Sequence, residues 1–296
     1  MSPRVFSESI LLLYPGAIEL CDGVDNDCNT ATPEPLIVHN GTPVGDLRSA
    51  IEIGGQIDIC GPVELSNTIT YLQDVTIVGH TDDAAILIAA GRLDFVDAEI
   101  VLSALRIAPR SALVDVHGIR VTGGSIAIEG SVLTGFSQSP ALLATRAPIT
   151  MEDSEVRNNT AGNSLAGGVH FDRSEALFRN VAFEDNTSGW FGRGGGALFI
   201  GPGSDVTMEG CSIRRNHHTA SGIGGVYMGE ANDVVMGVST LRATDCDWGL
   251  NAEDNDLFDI VVSYRLTLPI SVARIAEVTT NISCTASPSG NSCSTF

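Results

Sequence analysis

Short runs of alternating apolar and polar residues recur along this chain, and three of them superimpose. Residues 149–160 (ITMEDSEVRNNT), 176–187 (ALFRNVAFEDNT) and 206–217 (VTMEGCSIRRNH) share their apolar positions. Ile149 aligns with Ala176 and Val206, Met151 with Phe178 and Met208, and Val156 with Phe183 and Ile213. Asparagine recurs at Asn159, Asn186 and Asn216, and a glycine pair follows at Gly167–Gly168, Gly195–Gly196 and Gly224–Gly225. A period of roughly 27 to 30 residues predicts stacked β coils, each returning to its start one strand spacing higher. Alternation along a strand turns Ile149, Met151 and Val156 inward and Glu152 and Arg157 outward. Two outer charge columns follow, Glu152–Arg179–Glu209 and Arg157–Glu184–Arg214, with signs alternating along each. A slip in register would juxtapose like charges, so the columns support the alignment independently of the apolar positions. The recurring asparagines are expected to satisfy turn backbone groups through their amides. His170, Leu198 and Tyr227 are expected to form one outward row of ordinary surface.

The same alternation extends in both directions. QIDIC, TITYL, DVTIVG, AAILIA and LDFV read as strands, and 100–108 and 126–135 as worn copies of the repeat. Repeat starts fall near 100, 126, 149, 176, 206 and 234, with the register before residue 100 left open. Leu47–Ile53 (LRSAIEI) predicts one short helix with Asp46 as N-cap, placed to plug the open end of the solenoid core. The chain divides into a cysteine- and Asp-rich leader (1–35), the solenoid (36–275) and a Ser/Gly/Pro-rich tail (276–296) held in a disulfide loop.

The 296 residues carry a formal net charge of −20, and all 16 basic residues are arginine. Nucleic acid and anionic membrane both demand a basic face, so neither is expected as a partner. Hard divalent cations suit such a surface. No apolar stretch is long enough to span a bilayer. The seven cysteines include two close pairs, Cys21/Cys28 and Cys284/Cys293, which read as disulfide staples of an exported protein. Cys60, Cys211 and Cys246 remain, with Cys211 expected buried and inert within a strand. The apolar run at 10–13 is too short for a signal-peptide core. Exported character without a signal predicts that the chain is a piece of a longer one.

Candidate chemistry concentrates in three places. In the leader, Asp22, Asp25, Asn26 and Asp27 crowd around Gly23 and offer hard oxygen ligands suited to Ca²⁺. Asp245, Asp247, Asp254, Asp256 and Asp259 form a second acidic cluster. The loops after the asparagines hold Trp190, Phe191 and Arg193 in one coil and His217 and His218 in the next. An aromatic beside arginine can stack on a sugar ring and hold a carboxylate. The carboxylate pair Asp82–Asp83 follows Gly-His-Thr and reads as a turn.

PGAIELCDGVDNDCN resembles the short cysteine-bearing metal-binding motif of MopE-type bacterial surface proteins, with Asn29–Thr30 standing where that motif has Asp-Gly. GDLRSAI followed by GGQIDI resembles the opening of secreted bacterial β-helix proteins, and the body resembles the right-handed parallel β-helix of the pectin-lyase-like group. The segment FEDN…GRGGGALFI is similar to polymorphic outer-membrane protein repeats. These resemblances imply an all-β, right-handed parallel β-helix with a short N-terminal capping helix. They imply an extracellular or cell-surface protein that displays loops to a polysaccharide or a surface protein without catalysis. A polysaccharide lyase or glycoside hydrolase, and a metal-capturing surface protein, are the alternatives.

Overall fold

A computed structural model describes residues 35–111, 117–162, 164–189, 194–219, 224–229 and 239–248. It also describes the strands 260–263, 270–272, 280–287 and 290–295 and, in the leader, Pro15, Ala17, Cys28 and Asn29. The body is a parallel β-solenoid. One coil runs through Ile149–Glu152 in the first sheet, Glu155–Arg157 in the second and Val169–Asp172 in the third. The next runs through Glu175–Arg179, Ala182–Glu184 and Leu198–Ile200. Each strand pairs in parallel with its equivalent one coil on. First-sheet strands begin at residues 55, 75, 99, 125, 149, 175, 205 and 239. The start expected near 234 is displaced: the strand is Ser239–Cys246, and Thr240 lies opposite Asp205.

The stacking is set by the alternation. Met151, Phe178 and Met208 are register partners and fully buried. Ile149, Ala176 and Val206 form a second interior column, and Val156, Phe183 and Ile213 a third. The Phe178 and Phe183 rings meet edge to face at 5.2 Å, an arrangement that favours the aromatic quadrupoles.

Three corners close each coil, and each turns through left-handed backbone. At the first corner φ is +53° at Ala104 and Gly130, +47° at Asp153, +52° at Asn180, +63° at Gly210 and +53° at Asp245. Gly, Asn and Asp enter this region most readily, and they hold five of these six positions. Inside each corner the backbone leaves its strand ladder, so buried polar groups need other partners. Side chains from the neighbouring coil supply them. Asn159 Nδ2 donates to Asn186 Oδ1 and Asn186 Nδ2 to Asn216 Oδ1, both at 2.9 Å. The same amides donate to Leu133 O and Val156 O, while Oδ1 of Asn186 and Asn216 accepts the N–H of Asn159 and Asn186. Serines do the same elsewhere. Ser131 N–H donates to Ser154 Oγ at the first corner, and Ser174 N–H to Ser204 Oγ at the third.

Both solenoid ends are closed. Asp46 Oδ1 accepts the Ser49 N–H and caps the helix Leu47–Ile53, which buries Leu47, Ala50 and Ile51. The helix packs against the first strand of all three sheets and so seals the core, as its sequence predicts. Beside it the hairpin Ile37–His39/Thr42–Pro43 pairs antiparallel with the first rung. At the far end Thr280–Ser287 pairs antiparallel with Ser239–Cys246, and Gly290–Thr295 pairs with Thr280–Ser287. Antiparallel strands thus cover edges that would otherwise recruit other chains.

The first charge column forms as expected: Arg179 bridges Glu152 at 2.7 Å and Glu209 at 2.9 Å. The second keeps its backbone register but not its ion pairs. Arg157 turns to Glu155, two residues away on the same face of its own strand, and Arg214 to Asp247. Glu184 is taken instead by Arg215, whose left-handed corner backbone swings the guanidinium across Glu184 and Asp185. Register is therefore held mainly by the interior. Asn186→Ala, which strands Val156 O and the Asn159 amide in the buried ladder, is expected to lower unfolding free energy by about 2–4 kcal/mol in urea titration. Arg179→Ala, on the exposed column, should leave the midpoint nearly unchanged.

Candidate functional site

The coils differ in length at the second corner and, just before Ser239–Cys246, at the third, where 230–238 stands in place of two to four residues. From Arg106–Pro109 onward the second corner takes residues 110–118, 135–141, 158–168, 185–197 and 215–225. The first corner of those coils is crossed at 104–105, 130–131, 153–154, 180–181 and 210–211. Beyond the asparagines, Thr160–Ala161, Thr187–Ser188 and His217–His218 form a short fourth sheet in parallel register. His217 and His218 therefore sit on a strand rather than in a loop. His217 is half-buried, and His218 keeps only 4 % of its surface. In-register pairing to Thr187 and Ser188 turns them alternately, and the buried side of that ladder claims His218. Trp190, Phe191 and Arg193 lie outside the described residues. The stems that flank them are anchored to the coil below: Gly189 N–H donates to Ala161 O at 3.0 Å and Gly195 N–H to Leu165 O at 2.9 Å.

From here the chain enters the third sheet through its glycines. A Cβ on Gly168 would stand 2.4 Å from Ala197 O, and one on Gly196 2.4 Å from Gly224 O, so successive backbones approach as only glycine allows. The expected glycine alignment is one residue out. Ala166 bridges Gly195, which sets Gly167 against Gly196 and Gly168 against Ala197, because the middle coil carries the triplet 194–196.

That shift rewrites the outward row. His170 pairs with Phe199 and Phe199 with Tyr227, while Leu198 points into the core beside Val169 and Val226. The row is not ordinary surface either. Phe199 is fully buried and Tyr227 is 5 % exposed, under a cover that includes Leu165 and Ala166 of the preceding coil's corner segment. Phe199 and Tyr227 stack at 5.6 Å with planes 7° apart, and His170 meets the Phe199 ring edge-on at 4.8 Å. A second, smaller apolar core thus lies outside the solenoid and ties the corner segments to the third sheet. Sequence reasoning missed Phe199, Leu165 and Ala166; the signal was the glycine triplet, which moves the alternation by one. Burial pushes the His170 imidazole down to about 4, against the opposing pull of Asp172.

The other candidate groups are distributed differently. Asp82 and Asp83 sit exposed in a turn closed by Ala84 N–H to Thr81 O, as expected. Asp247 is engaged by Arg214, and Asp254, Asp256 and Asp259 lie outside the described residues. Among the described residues, no group of three or more His, Cys, Asp or Glu side chains is placed to hold a metal ion. Asp22, Asp25, Asn26 and Asp27 also lie outside the described residues, as does Cys21. Cys28 is an exposed free thiol, so the expected Cys21–Cys28 staple is absent. Cys28 has left-handed backbone (φ +57°). Cys60 and Cys284 are disulfide-bonded, and strand register places Cys284 opposite Cys293.

His170 gives the outer core a pH dependence. The unfolded imidazole binds a proton below about 6.5, whereas the folded one stays neutral to about 4. The unfolded state therefore binds more protons between these values, and stability falls as pH drops from 6.5 towards 4. His170→Leu, which matches Leu143 one rung below, is expected to remove about 1–2 kcal/mol of that loss at pH 5 in urea titrations at pH 7 and pH 5.

Comparison with known families agrees with this geometry. Residues 12–34 match the Cu-binding_MopE model, described as "Putative metal-binding motif". No curated protein and no solved structure matches the chain. Residues 114–264, just over half of the chain, match the model described as "Right handed beta helix region". That span holds the asparagine ladder, the glycine entrances and the outer core, and the chain belongs to the right-handed β-helix family.

Proposed function

We propose that this protein is an exported surface β-helix that presents the loops of its second corner to a glycan or protein partner, without catalysis of its own. The observation that carries the reading is the asymmetry of the corners. From Glu99–Ser103 onward the first corner takes two residues in each coil and is locked by internal ladders, while the second takes between 7 and 13. Extra length on one side of a rigid rod builds a continuous binding face, as in other solenoids. Trp190, Phe191 and Arg193 fall in the longest of these segments, with chemistry for stacking on a sugar and holding a carboxylate. The charge of −20 favours partners that do not present a dense anionic surface. Among the described residues no helix is long and apolar enough to cross a membrane.

The leader extends this reading to a cation, with Asp22, Asp25, Asn26 and Asp27 as donors and Ca²⁺ as the first candidate. A Cys284–Cys293 bridge across the terminal hairpin suits an oxidising exterior.

Glycan-array binding by the full chain, compared with Trp190→Ala and Arg193→Ala, tests the loop face. Binding that drops at least tenfold in both variants supports it; undiminished binding removes the loop face, and no binding to any array member removes the glycan as its partner. Incubation with uronic-acid polymers should yield neither unsaturated product nor new reducing ends, and robust turnover would replace display by catalysis. Calorimetric titration with calcium and with copper should give heat that Asp25→Asn and Asp27→Asn diminish; the absence of heat from both ions would remove the cation reading.

A further inference from the structure

The interior of the first corner carries two thiols on successive coils. Cys211 was expected within a strand; it lies instead at the corner, just before Ser212–Arg214, and Cys246 occupies the same position one coil on. Both are buried and free. Two other coils place serine in this column, Ser131 and Ser154, and two place Leu105 and Val181; the serines and cysteines behave alike. Ser131 Oγ donates to Glu129 O and Ser154 Oγ to Glu152 O. Cys211 Sγ reaches Glu209 O at 3.6 Å and Cys246 Sγ reaches Thr244 O at 3.4 Å, again two residues back. Ser131 and Ser154 also each accept an N–H from the coil before, from Leu105 and Ser131. Cysteine thus replaces serine in the ladder without changing its direction.

The spacing of the two cysteines is fixed by their backbones. Ser212 bridges Asp247 in parallel, Asp247 N–H donates to Cys211 O at 2.8 Å, and Ile213 N–H donates to Asp247 O at 2.8 Å. Paired strands run about 4.8 Å apart, inside the Cα separation of about 4.4–6.8 Å that a disulfide spans. The two side chains share one interior column.

We propose that Cys211 and Cys246 are an inter-coil disulfide site, closed when the chain folds in an oxidising compartment. A low-molecular-weight disulfide such as oxidised glutathione supplies the oxidant. One thiolate attacks it, forming a mixed disulfide and releasing one glutathione thiolate. The second cysteine thiolate displaces the other glutathione, forming the Cys211–Cys246 bond. Two protein thiols lose two electrons, and the two protons they give up end on the two glutathione thiols. Ser239–Cys246 is the last parallel rung of the first sheet before the antiparallel hairpin, so the bond ties that rung to the coil before it.

The test folds the full chain with a glutathione redox pair or with reductant, and maps tryptic peptides without reduction. The peptide ending at Arg214 should be linked to the one beginning at Ala243, and the oxidised protein should melt about 5 °C above its Cys211→Ser/Cys246→Ser variant. That variant keeps the serine ladder, so it should fold and match the reduced protein in melting temperature. Folded, oxidised protein whose Cys211 and Cys246 both remain alkylable on unfolding would overturn the proposal, as would either cysteine linked elsewhere.

Discussion

Everything in this molecule rests on one requirement: a buried corner must find its hydrogen-bond partners one coil away. The flat sides of the solenoid satisfy themselves, because parallel strands bond to their neighbours along their whole length. The corners do so only in part: the left-handed residue keeps its N–H on the next coil, as Asp153 does on Arg179 O, but the N–H of the residue after it leaves the ladder. Asn159, Asn186 and Asn216 repair this at the second corner, Ser131 and Ser154 at the first, and Ser174, Ser204 and Ser239 at the third. Asn159 and Asn186 bond both the coil before and the coil after, and each serine hydroxyl accepts an N–H from the coil before. A coil displaced by one residue would leave several buried groups unpaired at once, each costing about 1–3 kcal/mol. Apolar columns tolerate exchange among Met, Phe, Ile and Ala; the ladders specify register more sharply.

The ends obey the same logic in reverse. A terminal coil has no neighbour to supply partners, so something else must occupy that face. At the N-terminal end the helix Leu47–Ile53 covers the apolar interior, and His39 Nε2 lies 2.7 Å from Gly54 O within that cover. At the C-terminal end two antiparallel strands continue the first sheet and place Cys284 opposite Cys293. Exposed charge contributes less to this order than its pattern suggests. The column through Arg179 forms, while Arg157 and Glu184 choose nearer partners without disturbing the register beneath them.

How much of this was legible follows from where the side chain is the signal. Met151, Phe178 and Met208 could be aligned by eye because a buried column must be apolar in every coil. The asparagine ladder was legible because its chemistry demands one residue type. The left-handed corners at Arg146, Arg173 and Arg215 left no mark, since their side chains point to solvent and the turn is imposed by the coils around them. The third sheet was misread for a different reason. Gly194, Gly195 and Gly196 offer two alignments of a glycine pair, and only backbone contact with Gly224 and Ala166 chooses between them. Choosing wrongly turns Leu198 outward and hides Phe199, which is how a packed aromatic row came to be read as plain surface. His217 and His218 were misplaced because a two-residue strand has no alternation to read.

The placement of variable segments follows from the corners themselves. From Glu99–Ser103 onward the first corner is a path only two residues long, tied by bonds through Ser131, Ser154, Cys211 and Cys246, whereas the earlier coil takes the five-residue turn 80–84 there. At the second corner the asparagine completes its bonds before the chain departs, and the glycine entrance restores register when it returns. Between those two fixed points the length is free. The outer core of Leu165, Ala166, Phe199 and Tyr227 then anchors the base of these segments to the third sheet. The same rod can therefore carry segments of different length and chemistry on one side without altering a coil, which separates the part of the sequence that specifies the fold from the part available for recognition.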